Sequence, residues 1–125
     1  MNTNRMKSYK DLDIYNMSFE LAIKVHKLTL ELPKYEVYEQ GSQIRRSSKS
    51  IKDNIVEGYG RRKYKADFIK FLIYGHASLL EYRSQLEMIQ ELYNIKEISI
   101  LIKEYDVLGA KLYTFISYVE NNWKS

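Results

Sequence analysis

Residues 64–93 read YKADFIKFLIYGHASLLEYRSQLEMIQELY, and this stretch decides the fold. Within it Phe68, Leu72, Gly75, Leu79, Tyr82, Leu86, Ile89 and Tyr93 recur at alternating steps of four and three. On a helix that spacing gathers one apolar stripe on one side, and such stripes pack side by side at a shallow angle. The rhythm repeats over about 96–123, with Ile98, Ile102, Tyr105, Gly109, Leu112, Ile116, Val119 and Trp123. Both stretches therefore read as long helices. No part of the chain alternates apolar and polar residues well enough to suggest a strand.

Working outward, the single proline and five glycines divide the chain into four segments. The first covers about 13–32, with Ile14, Met17, Leu21, Val25, Leu28 and Leu32 on one face. Asp13 is the expected N-cap, with Leu12 packing on Met17 as a staple. Pro33 ends the segment, because it has no amide proton and disfavours helix just before it. The second covers about 42–59, where Ile44, Ser48, Ile51, Ile55 and Tyr59 form a thin stripe. Gly58 and Gly60 are expected to close it in the left-handed conformation.

Short connections make successive helices antiparallel, so the expected fold is all-α, an antiparallel up-down-up-down four-helix bundle. Residues 1–10 read as a flexible lead and 11–125 as one domain. With a turn near Asn94, Gly75 and Gly109 stand at similar height. Either they let the last two helices approach closely, or each accommodates a nearby tyrosine. Ile69, Ile73 and Leu80 on the third segment, and Leu101, Leu108 and Phe115 on the fourth, widen the apolar surface. They imply a thick core or a subunit interface.

A chain of 125 residues suits one domain that can bury a sizeable core. It has no cysteine, which excludes disulfides, thiolate metal sites and a cysteine nucleophile. No apolar run approaches the roughly 20 residues that span a bilayer, and residues 1–10 lack the core of a secretory signal. A cytoplasmic protein with no membrane contact is expected.

The formal charge is +4, and its distribution is uneven. Between Arg45 and Lys70 nine basic residues face three acidic ones, net +6, while the remainder is slightly acidic. One surface is thus expected to meet an anion. Arg45, Lys49 and Lys52 are spaced to form a line on the second helix, next to Arg46. Arg61, Arg62, Lys63 and Lys65 follow, interleaved with Tyr59 and Tyr64. Cations neutralise phosphates and release counterions, and aromatic rings stack on unpaired bases. The same strip also suits a solvated face, a protein interface or an anionic membrane.

Catalytic and metal patterns are missing from the sequence. His26 and His76 have no ligand spacing around them, and no Glu-x-x-His motif of a di-iron bundle occurs. Gly58 and Gly60 lack the third glycine of a dinucleotide fingerprint. Ser47, Ser48 and Ser50 have no clear activating base and suit a close helix contact. Asn54 and Glu57 share a helical face and are expected to form a polar clamp at the end of the second helix. The expectation is a non-enzyme without cofactor or metal.

Several runs resemble a known family. They are Leu32-Pro33, Glu36, Tyr38, the run Gln43 to Ile51, Asn54-Ile55-Val56-Glu57-Gly58 and Gly60-Arg61-Arg62. Asp67-Phe68, Phe71-Leu72, Ala77-Ser78 and Glu81 continue the likeness, which covers about 12–92. The chain resembles bacterial four-helix-bundle proteins encoded in intervening sequences of 23S ribosomal RNA genes. That family includes accessory variability proteins of diversity-generating retroelements, the branch toward which the Gly-Tyr-Gly-Arg-Arg wording leans. The resemblance implies a basic homopentamer, associated in the retroelement relatives with nucleic acid and a reverse transcriptase. It matches Arg45, Arg46, Arg61 and Arg62 to the family's basic positions, and Asn54, Glu57 and Gly58 to its helix ending. Residues 60–68 depart from the pattern, having no Ser or Thr to cap the third helix. The leading expectation is an oligomeric nucleic-acid-binding accessory protein; the alternative is an assembly scaffold whose basic strip meets protein.

Overall fold

In a computed structural model that describes residues 6–124, four long helices carry the chain. They are α1 (Asp13–Thr29), α3 (Gln40–Gly60), α4 (Lys65–Tyr93) and α5 (Lys96–Asn122), with a short α2 (Lys34–Tyr38) between the first two. No strand occurs among the described residues. Helix α3 packs on α1 and α4, and α5 packs on α4 and α1, so the four form a closed square. Cross-helix contacts fix the directions. Phe68 meets Trp123, His76 meets Tyr113 and Arg83 meets Asp106, so α5 descends as α4 rises. Ser50 meets Ser78 and Gly58 meets Phe68, which makes α3 and α4 antiparallel as well. The structure is an antiparallel bundle.

The stripes read from the sequence form the core. Phe68, Leu72, Tyr82, Ile89, Tyr105, Leu112 and Val119 are wholly enclosed, together with Ile44, Ile51 and Ile55 of the thin stripe. The widened surface divides. Leu101, Leu108 and Phe115 are buried, whereas Ile73 and Leu80 stand exposed and Ile69 is intermediate. The rings of Tyr82 and Tyr105 lie 4.4 Å apart in mid-core. Burial raises both phenols well above their ordinary range. Arg83 clasps Asp106 across α4 and α5 and holds its carboxyl below the usual value.

Local chemistry departs from expectation at several ends. Leu12, wholly buried, occupies the N-cap of α1; Asp13 is the first helical residue and pairs with Lys111 at 2.7 Å. Helix α1 stops at Thr29, whose hydroxyl donates back to the Val25 carbonyl. Pro33 then starts α2 instead of merely ending α1, since its fixed φ suits a helix N-terminus. Residues 1–5 of the expected flexible lead lie outside the described residues. The rest of it carries a turn at Tyr9–Asp11 that Ser8 caps, with Met6 and Tyr9 against the core.

The glycines also behave differently. Gly58 and Gly60 lie within α3, and no glycine has positive φ; Asn94 alone among the described residues does, closing α4. Gly58 allows close approach: a Cβ there would sit 3.2 Å from the Phe68 carbonyl oxygen and from Phe71 Cβ. Gly75 faces Asn54 and Ile51 of α3, while Gly109 faces Leu79. The two do not meet, and neither packs first against a tyrosine.

Candidate nucleic-acid interface

The expected cationic line breaks where side chains find partners inside the fold. Arg45 turns inward, donating to Thr29 Oγ1 at 3.1 Å and to the Val37 carbonyl at 2.8 Å. It ties α3 to the end of α1 and to α2. The spacing placed its Cα correctly, but the carbonyl left open at the end of α2 captures the guanidinium. Arg62 is likewise engaged: it donates to the Tyr59 carbonyl and lies 4.0 Å over the Tyr59 ring. Tyr59 itself is only 5% exposed and cannot present its ring to a ligand.

Other positions keep their charge outside. Arg46 is exposed and borders a shallow recess with Tyr38, Glu39 and Gln43. Lys49 and Lys52 rim a groove of about 350 Å³ between α1 and α3, floored by Phe19, Ala22 and Ile23. His26 and Lys27 complete that rim. Lys52 is held by Asp53 at 2.6 Å. Lys65 opens α4 and is half-buried.

The expected clamp of Asn54 and Glu57 does not assemble. Asn54 donates to the carbonyl and hydroxyl of Ser50, which meets Ser78 at 3.2 Å across the α3–α4 contact. Glu57 is exposed and pairs with Arg61 at 3.0 Å. Three residues apart on a helix is 300°, enough to put one side chain at the contact and the other in solvent.

At the corner between α3 and α4 a second cluster forms. Arg61 pairs with Glu57, approaches Asp67 at 3.9 Å and lies 4.8 Å over the Phe71 ring. Lys70 sits 5.8 Å from the Phe71 ring and 5.9 Å from that of Tyr74, and the two rings meet edge to face. Lys63 lies 5.8 Å from the Tyr64 ring. Tyr64 is 61% exposed and Tyr74 47%, so both offer a ring to solvent. Lys70, Phe71 and Tyr74 were not among the expected site residues. Their spacing, one and four residues on from Lys70, could have revealed a mixed cationic and aromatic helix edge.

The corner is firmly built. The amides of Arg61, Arg62 and Tyr64 bond back to the carbonyls of Gly58, Tyr59 and Arg61. Trp123, from the end of α5, donates its indole N–H to the Arg62 carbonyl at 3.0 Å and packs on Phe68. Tyr64 is the N-cap of α4 without a side-chain cap bond, in keeping with the absence of Ser or Thr there. Asp67 supplies negative charge to the first turn.

No three His, Asp or Glu side chains gather as ligands among the described residues. Ser48 donates to the Arg45 carbonyl, Ser50 is spent on the Ser78 contact, and His76 stands half-buried beside Tyr113. Among the described residues no helix is long and apolar enough to cross a membrane.

Comparison with known proteins agrees with the fold. No individually curated protein matches the chain. A family profile matches residues 10–114, reaching beyond the region of likeness read from the sequence and well into α5. The profile is that of the 23S rRNA-intervening sequence protein family, and the chain belongs to it.

Proposed function

We propose that this protein is a non-catalytic, homo-oligomeric accessory protein that binds nucleic acid through the α3–α4 corner. One observation carries the reading: Tyr64 is exposed beside Lys63 on a pinned turn, and Tyr74 is exposed beside Lys70 on α4, with Arg61 over the Phe71 ring between them. The ammonium groups suit phosphates, and the rings suit bases that are free to stack. Assisting a reverse transcriptase is the narrower form of this reading. It rests on the resemblance to retroelement accessory proteins, and a gene beside a reverse transcriptase would favour it.

Fluorescence anisotropy with labelled single-stranded RNA, single-stranded DNA and a hairpin RNA at rising salt tests the proposal. Lys63→Glu with Lys70→Glu should weaken binding at least tenfold and flatten the salt slope by about 0.7 for each phosphate no longer neutralised. Tyr64→Ala with Tyr74→Ala should weaken it by about 1–3 kcal/mol per stacked base. Absence of binding at low salt, or affinities that ignore all four substitutions, would reject it. The groove between α1 and α3 favours a second reading, a scaffold whose cations meet protein, because its floor is apolar.

A further inference from the structure

Helix α2 is a second pinned platform, at the other end of the bundle from the α3–α4 corner. Its one buried residue is Glu36, a carboxylate only 5% exposed that accepts from the Tyr93 hydroxyl at 2.6 Å. The Tyr35 hydroxyl lies 3.2 Å from the same Tyr93 oxygen, and Arg45 donates to the Val37 carbonyl. On a helix, an inward Glu36 turns Lys34, Tyr35 and Tyr38 outward. Helix α3, 21 residues long, separates this end from the corner by about 30 Å.

Tyr38 and Tyr35 are 72% and 67% exposed, more than either tyrosine of the corner. Tyr38 lines a recess of about 320 Å³ with Gln43 and Arg46, in which Glu39 is the single carboxylate. The side chains of Lys34, Tyr38 and Arg46 make no hydrogen bond or ion pair among the described residues. Open rings beside uncommitted cations suit an unpaired nucleic-acid strand, whose bases stack and whose phosphates are neutralised. With fewer cations than the corner and a carboxylate among them, this is the weaker contact, so the affinity of a lone strand reports the corner.

We propose that α2 with Arg46 is a second single-strand site, and that one copy holding two strands promotes the annealing of complementary sequences. The inference rests on the nucleic-acid binding proposed above and adds a second contact and an activity to it. Two strands held on one body meet at an effective concentration of about millimolar, far above that of dilute free strands. Cations at both ends reduce the repulsion between the two phosphate backbones. Pairing then ends the hold. In a duplex the bases stack on one another, so Tyr38 and Tyr64 lose the base faces they held and the product is released. The rings thus select the reactant strands, and the protein is free to act again.

Two complementary DNA strands, one with a fluorophore and one with a quencher, follow annealing by the whole chain, and anisotropy of one labelled strand is measured in parallel. Wild-type protein should speed annealing at least about tenfold. It should also bind the single strand at least about tenfold more tightly than the finished duplex. Tyr38→Ala with Arg46→Glu should remove most of the acceleration and leave single-strand affinity unchanged, with circular dichroism confirming that helix content is kept. No single-strand binding by the wild-type chain would overturn both the proposed function and this inference. Binding without faster annealing, or a duplex held as tightly as a strand, would overturn this inference alone. Acceleration that survives the double substitution would place the bridging on corners of separate copies and overturn the assignment to α2.

Discussion

At the scale of single residues, polar groups set in apolar places make the sharpest predictions. The hydroxyls of Tyr82 and Tyr105 are buried without a hydrogen-bond partner among the described residues. Tyr82→Phe should therefore keep the fold and raise stability by about 1 kcal/mol, the lower end of the cost of an unsatisfied buried group, read by thermal melting. Burial raises both phenols, so the folded state binds protons that the unfolded state gives up near its ordinary tyrosine value. Stability is then complete below about pH 10 and falls as pH climbs above it. Alkaline melts of the double Phe variant should show a shallower fall. Arg45 offers a contrast with the corner lysines. Arg45→Ala removes the donor to Thr29 and Val37 and should cost about 1–3 kcal/mol in urea melts, with nucleic-acid affinity unchanged. The sequence placed Arg45 on the expected face, yet backbone position does not decide where a long guanidinium ends. That is why part of the cationic line was legible only by its Cα positions.

At the scale of elements, close approach governs. A methyl group at Gly58 would sit 3.2 Å from the Phe68 carbonyl oxygen and from Phe71 Cβ, both fixed by the α4 backbone, so the helices must part by a few tenths of an ångström and Gly58→Ala should destabilise by about 1–3 kcal/mol. Gly60, at the end of the same helix, has nothing within 4 Å of an added Cβ. Gly60→Ala should gain about 0.5–1 kcal/mol from reduced freedom of the unfolded chain, and denaturant melts of the pair separate the two effects. Both glycines had read as helix terminators, because composition alone does not distinguish a turn glycine from a contact glycine. The two long helices were readable almost to the residue: their 4-3 spacing runs unbroken, and Asn94 sits in the left-handed turn between them. Helix α2 was not readable. Five residues give no periodicity, and Pro33 signals a stop and a start equally well.

At the scale of the molecule, the fold sorts charge more finely than sequence position does. The basic stretch from Arg45 to Lys70 was legible as an excess, but helix geometry divides it between a groove on one side and an aromatic corner at one end. Aromatic company, not charge, distinguishes the corner, and Tyr59 and Tyr64 could not be told apart until burial did so. Trp123 links distant parts of this arrangement. Trp123→Ala should lower stability by about 2–3 kcal/mol, somewhat below the range for a fully enclosed aromatic. It should also weaken nucleic-acid binding, measured by anisotropy, although the indole lies behind the turn.

The indole bond from Trp123 to Arg62 spans 61 positions and has a consequence in time. During synthesis the loop bearing Lys63 and Tyr64 leaves the ribosome long before the tail that braces it. Domains fold as units while chains emerge at about 5–20 residues per second. A nascent chain that has extruded only its first three long helices therefore carries Lys63 and Tyr64 on a loop that Trp123 does not yet brace, and under the proposed function its affinity for RNA should rise once Trp123 has emerged.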